Sequence, residues 1–92
     1  MRDEQEFFER RIITGMVVSK DFLSRIQRIW KPEFLLSSEL VIVADWCLTY
    51  YAKYNRAPDR DIEAIFMENL QSGRLSKADS EYIEALLTSL SD

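Results

Sequence analysis

Sixteen carboxylates, one thiol and no imidazole limit the chemistry open to this 92-residue chain. Without histidine it lacks both the usual general base near pH 7 and the commonest metal ligand. Cys47 has no second cysteine to bridge and lies in an apolar stretch, which reads as a small buried hydrophobe suited to a reducing cytosol. One cysteine and no histidine make no zinc ligand set. Paired carboxylates occur at Asp59/Asp61 and Asp79/Glu81, but both pairs stand where a helix should begin, and capping accounts for them. Glu63 and Glu68 belong on solvated helix surface, and no dense acidic loop offers a calcium cage. Gly15 and Gly73 are isolated, so no GxxxxGK[ST] phosphate loop is present. The expectation is a chain with no catalytic residues, no cofactor and no metal.

The elements that would position any site are helices. Hydrophobic residues make up 47% of the chain and charged residues 30%, the balance of a folded domain rather than a disordered one. With two glycines, two prolines and long periodic segments, residues 1–92 read as a single all-α domain. A chain this small buries only about 60–65% of its unfolded surface, so one helix must organise the core. Leu40 to Tyr54 is that helix. Leu40, Val43, Ala44, Cys47, Tyr51 and Tyr54 fall on one face, and Ile42, Trp46 and Tyr50 on a second. Only Asp45, Thr49 and Lys53 form a polar strip, so the expected architecture is a compact bundle of five to six helices around this one.

Local signals place the others. A capping box at Asp3…Glu6 should start the first helix, with Phe8, Ile12 and Met16, flanked by Phe7 and Ile13, as its inward stripe to about Val18. Gly15 within that stripe implies close approach of another helix, at about 1 kcal/mol relative to alanine. Ser19 caps a second helix burying Phe22, Leu23, Ile26 and Ile29–Trp30, and Pro32 stops it. Phe34–Leu36 links to the Ser37–Ser38 cap of the central helix. After the break at Asn55–Pro58, Asp59 caps a fourth helix with Ile62, Ile65, Phe66 and Leu70 inside. Gly73 ends it, and Ser76 caps a fifth carrying Tyr82, Ile83, Leu86, Leu87 and Leu90. That last stripe is still running near Asp92, as expected of a piece of something longer.

The net charge of −4 hides an asymmetry, but the chain does not show the dense basic face that nucleic-acid binding normally requires. Residues 1–31 carry seven basic and five acidic groups, and residues 32–92 five basic and eleven acidic. Arg25, Arg28 and Lys31, with Arg10 and Arg11, form a modest basic strip that reads as solvated surface. Trp46, Tyr50, Tyr51 and Tyr54 have the ring faces to stack bases, yet they interleave with aliphatic residues beside Asp45 and read as core or protein interface. Aromatic residues dominate interface hot spots, so Ile42, Trp46 and Tyr50, joined by Arg25 and Arg28, are the candidate partner interface. The charged opening MRDEQEFFERR has no signal-peptide core, and the uncharged runs are too short to span a bilayer, so the expected location is cytoplasmic.

The segment Glu9-Arg10-Arg11-Ile12-Ile13-Thr14-Gly15-Met16-Val17-Val18-Ser19 resembles the opening of the N-terminal domain of DnaB-type replicative helicases, where an acidic residue precedes an IxxG-hydrophobic-hydrophobic run. Asp21-Phe22-Leu23-Ser24-Arg25-Ile26 resembles the helix that follows there, and Phe34–Ser38 the link into a long helix. Trp46…Tyr50-Tyr51…Tyr54-Asn55-Arg56-Ala57-Pro58-Asp59 is similar to that helix and its terminal turn, with a phage or prophage flavour. Leu70…Gly73…Leu75 and Glu81-Tyr82-Ile83…Leu86 resemble the last two head helices, so the likeness spans about residues 6–90 in spacing and hydrophobic type. It implies a head domain that helps assemble the collar of a hexameric ring and docks primase or a helicase loader during DNA replication. The family continues through a helical hairpin into a RecA-type motor with a phosphate loop, and neither lies within these residues. ATP hydrolysis and translocation would belong to that part, and self-association of the head alone should be weak or dimeric.

The sequence is compatible with other classes. A free-standing, phage-encoded adaptor or inhibitor of a replication protein would need nothing beyond residues 1–92. A nucleic-acid binder reading with Ser76–Leu90 is disfavoured, because Lys77 is the only basic residue there against Asp79, Glu81 and Glu84.

Overall fold

The computed structural model describes residues 2–90, with side chains from residue 4 onward. Five α-helices follow one another: α1 (Arg2–Val18), α2 (Lys20–Ile26), α3 (Ser38–Tyr54), α4 (Asp61–Gln71) and α5 (Lys77–Leu90). A single 3-10 turn over Pro32–Phe34 lies between α2 and α3, and no strand occurs among the described residues. The fold is an all-α globule about 35 × 32 × 26 Å.

α3 is the central post. It packs against all four other helices, and Leu40, Val43, Ala44 and Cys47 are fully buried along it. Around them close Ile13 and Met16 of α1, Leu23 of α2, Ile62 and Phe66 of α4, and Ile83, Leu86 and Leu87 of α5. Tyr51 is half-buried and Tyr54 is exposed, so the enclosed stretch of α3 stops short of its last turn. The polar strip through Asp45, Thr49 and Lys53 faces solvent, as its composition requires.

The inward face of α1 is displaced by one position from the expected stripe. Ile13, Met16 and Val17 are buried, but Phe8 is 62% exposed and Phe7 is exposed as well. Counting back from Met16 and Ile13 at helical spacing reaches Glu9, not Phe8, and Glu9 is the residue that turns inward. α1 is already helical at Arg2, and the Asp3 half of the expected capping box lies outside the described side chains. Gly15 does mark a close approach. A Cβ built there would sit 2.8 Å from the Phe22 ring of α2.

Ser19 caps α2, its Oγ accepting from Phe22 N at 3.1 Å. α2 nevertheless ends at Ile26 and not at Pro32, giving way to a turn in which Ile29 stands 65% exposed. Trp30 folds back against the core with Phe34 edge-on, ring centroids 5.8 Å apart. At the far end of α3, Asn55 closes the helix in the left-handed region (φ 57°), its N–H donating to Tyr51 O at 2.7 Å.

Asp59 does not cap α4. That helix starts at Asp61 after Arg60, with no side-chain cap, while Asp59 itself has φ 52° and donates its N–H to Val17 O at 2.7 Å. This bond stitches the α3–α4 connection to the end of α1. Gly73 (φ 75°) ends α4 in a Schellman arrangement, Gly73 N bonding Leu70 O and Arg74 N bonding Asn69 O. Ser76 Oγ accepts from Asp79 N at 3.1 Å and caps α5 as its position suggested.

Candidate protein-interaction surfaces

The residues expected to form an interface differ in how far they reach the surface. Tyr50 is only 8% exposed. Its hydroxyl donates to Asp61 Oδ2 at 2.5 Å, its ring lies 4.6 Å from that of Tyr54, and the Arg56 guanidinium stands 5.6 Å over its face. Arg56 also approaches Asp61, at 3.7 Å. The bond to Asp61, followed by burial, raises the Tyr50 hydroxyl above the ordinary tyrosine pKa. Tyr50 therefore clamps the end of α3 to the start of α4.

Trp46 is half-buried with its ring 6.5 Å from Phe66 of α4, and Ile42 is half-buried against the core. Neighbouring helices thus occupy most of the second face of α3. Arg25 and Arg28 are exposed on α2 and the turn beyond it, and no hydrogen bond or ion pair joins them to those three residues.

Glu9 organises a site that the sequence reading did not single out. It is 2% exposed, the one buried charged side chain among the described residues. Its Oε1 accepts from Leu36 N at 2.6 Å and Ser37 N at 3.2 Å, and its Oε2 from the Gln5 amide at 3.2 Å. Ser37 occupies the N-cap position of α3 but does not cap it; its hydroxyl donates to Glu39 Oε2. A carboxylate from α1 thus holds the entrance to α3, where the helix dipole favours negative charge. The available signal was spacing: Glu9 precedes Ile13 by four and Met16 by seven. A charged residue inside the run Glu-Arg-Arg reads as solvent-facing unless that line is followed back.

Above Glu9 opens a cleft of about 590 Å³ between α1, α5 and the start of α3. Glu6, Glu9 and Glu39 line it with Leu36, Leu40 and Tyr82. Burial, then the nearby Glu6 carboxylate, lifts the Tyr82 hydroxyl above its usual range. Leu36 on its lip is 78% exposed, the most exposed large hydrophobic residue described. A second cleft of about 430 Å³ lies between Val17, Ile62, Leu87 and Leu90.

Among the described residues no three Cys, Asp or Glu side chains converge in a metal-holding group. Cys47 is sealed in the core, and burial pushes its thiol up to about 12, far from a reactive thiolate. No helix among the described residues is long and apolar enough to cross a membrane. What the surface offers is exposed apolar side chains edged by discrete charges, an arrangement suited to holding another protein.

No protein-family model, curated protein or solved structure matches the chain.

Proposed function

We propose that this chain is a non-catalytic protein-interaction domain, the N-terminal head of a DnaB-like replicative helicase that supports ring assembly and docks primase or a loader. The observation that carries this reading is where the resemblance falls. The stretch Glu9–Ser19 covers most of α1 and the α2 cap, and its acidic residue is the buried anchor that fixes the entrance to α3. The hydrophobic-polar-Pro-Asp turn after Tyr54 is the left-handed connection tied to α1 through Asp59. The likeness therefore rests on residues the fold depends on, and on a helix order with a long central member. Binding would proceed through exposed apolar side chains with charged rims, as around Leu36 and Ile29.

The mass of the native product in cells carrying the gene tests this. A polypeptide of several hundred residues with GxxxxGK[ST] downstream is the expected result. A native product of 92 residues would overturn the helicase-head reading and leave the free-standing adaptor in its place.

A further inference from the structure

Between α2 and α3 the chain turns its apolar side chains outward. Every residue from Gln27 to Phe34 except Trp30 is exposed, Ile29 to 65% and Phe34 to 42%. Two tight turns gather this segment around Trp30. Arg28 N donates to Arg25 O at 3.4 Å and Ile29 N to Ile26 O at 3.1 Å, and side chains three apart in such a turn stand one above the other, as Arg25 and Arg28 do. Beyond Trp30, Phe34 N donates to Lys31 O at 3.0 Å. The Trp30 ring packs on the core and meets the Phe34 ring edge-on at 5.8 Å, which fixes Phe34 beside the indole that follows Ile29. Arg25, Arg28 and Lys31 are all exposed, and no carboxylate among the described residues lies within ion-pair distance of them. Glu33 is the one acidic residue between Arg25 and Leu36. The segment is therefore locally basic on a chain whose net charge is −4.

We propose that this segment rests on an anionic lipid surface, Ile29 and Phe34 entering the headgroup region while Arg25, Arg28 and Lys31 lie against lipid phosphates. Free cations beside exposed apolar side chains, with a half-buried tryptophan between them, are the combination that settles in a bilayer interface. Shape favours a bilayer over an acidic protein segment. Neither cleft described above is lined by Arg25, Arg28, Ile29, Lys31 or Phe34, so the segment offers outward tips and no groove for a peptide. A fluid interface takes up such tips as they come, whereas a protein partner must supply a shaped recess for each. Lying on a membrane is distinct from crossing one, for which no described helix is long and apolar enough. The same surface repels the acidic remainder of the chain, so the domain should bind in one orientation with this segment inward. The contact stands on its own residues and is independent of the helicase-head reading.

Co-sedimentation with phosphatidylcholine vesicles, with and without phosphatidylglycerol, reads this directly. The wild type should bind only the phosphatidylglycerol vesicles, and salt should release it. A basic side chain near an anionic surface strengthens binding about fivefold, so Arg25→Gln/Arg28→Gln/Lys31→Gln should weaken it on the order of a hundredfold. Glu33→Gln should tighten binding by about fivefold, a gain that misfolding cannot produce. Ile29→Gln/Phe34→Gln should weaken it at least about tenfold with an unchanged circular dichroism spectrum. Trp46→Phe leaves Trp30 as the sole tryptophan, and brominated lipid should quench its fluorescence. No binding, equal binding to pure phosphatidylcholine, no gain from Glu33→Gln, or an unquenched Trp30 would each overturn the proposal. Binding that ignores Ile29→Gln/Phe34→Gln and is displaced by a poly-glutamate peptide would also overturn it, and would assign the strip to an acidic protein segment. None of these outcomes bears on the helicase-head reading, which the native product decides.

Discussion

Replacing Glu9 by alanine is the sharpest probe of how this fold is held. The carboxylate accepts two backbone N–H groups, at 2.6 and 3.2 Å, and one amide N–H at 3.2 Å. A hydrogen bond to a charged group contributes about 1.5–3 kcal/mol net. The short Leu36 bond should reach that range, and the two longer ones less. Truncation also relieves the desolvation of a buried carboxylate, which offsets part of the loss. The expected net cost of Glu9→Ala is about 2–4 kcal/mol. Glu9→Gln keeps an acceptor for Leu36 and Ser37 but loses the charge and opposes the Gln5 amide, so about 1–2 kcal/mol is expected. Urea unfolding followed at 222 nm gives both values, and hydrogen exchange of the Leu36 and Ser37 amides should accelerate in the alanine variant. Equal cost for alanine and glutamine, or less than about 0.5 kcal/mol for alanine, would refute the anchoring role.

Gly15→Ala adds helix propensity worth about 1 kcal/mol but drives its Cβ to 2.8 Å from the Phe22 ring, so a net destabilisation of about 1–2 kcal/mol is expected in the same assay. A stabilised variant would show that α2 yields freely. Trp46→Ala should cost about 2–4 kcal/mol through its contact with Phe66; unchanged stability with lost association would return Trp46 to the interface set. Cys47 should react with a thiol reagent at pH 8 only as fast as the protein opens, since with its thiol at about 12 only roughly one native molecule in ten thousand is thiolate; fast labelling of the native state would contradict its burial. Tyr50 and Tyr82 both have raised native values, so their contribution to stability is full below the unfolded tyrosine value near 10 and is lost as pH rises through the native values. Tyr50→Phe/Tyr82→Phe should flatten the alkaline fall in unfolding midpoint, and an unchanged slope would sink that assignment.

Helix number and punctuation were legible in the sequence because they rest on local chemistry. Ser19, Ser76 and Gly73 act within a turn of their own position, and each does what its type suggests. Enclosure of α3 was legible too, because its apolar residues cover most of its circumference. Where the reading failed, a distant partner had decided the outcome. Phe8 and Glu9 exchange places because the amides of Leu36 and Ser37, 27 and 28 residues away, draw a carboxylate inward. Asp59 lost its cap role to a bond with Val17, in an element no local rule connects to it. Tyr50 left the candidate interface because Asp61 lies across the turn to receive its hydroxyl. Ile29 went from expected core to surface because α2 stops at Ile26, six residues before Pro32. The face around Leu36 was invisible for the same reason: its acids and its hydrophobic lip come from three separate elements.

The proposal that this domain docks a replication protein is tested most directly by titration calorimetry with the primase and the helicase loader of the same genome. Saturable binding of at least one of them, weakened by substitution of exposed apolar residues and not by conservative core changes, is the predicted result. A folded chain that binds neither at 100 μM would contradict the account.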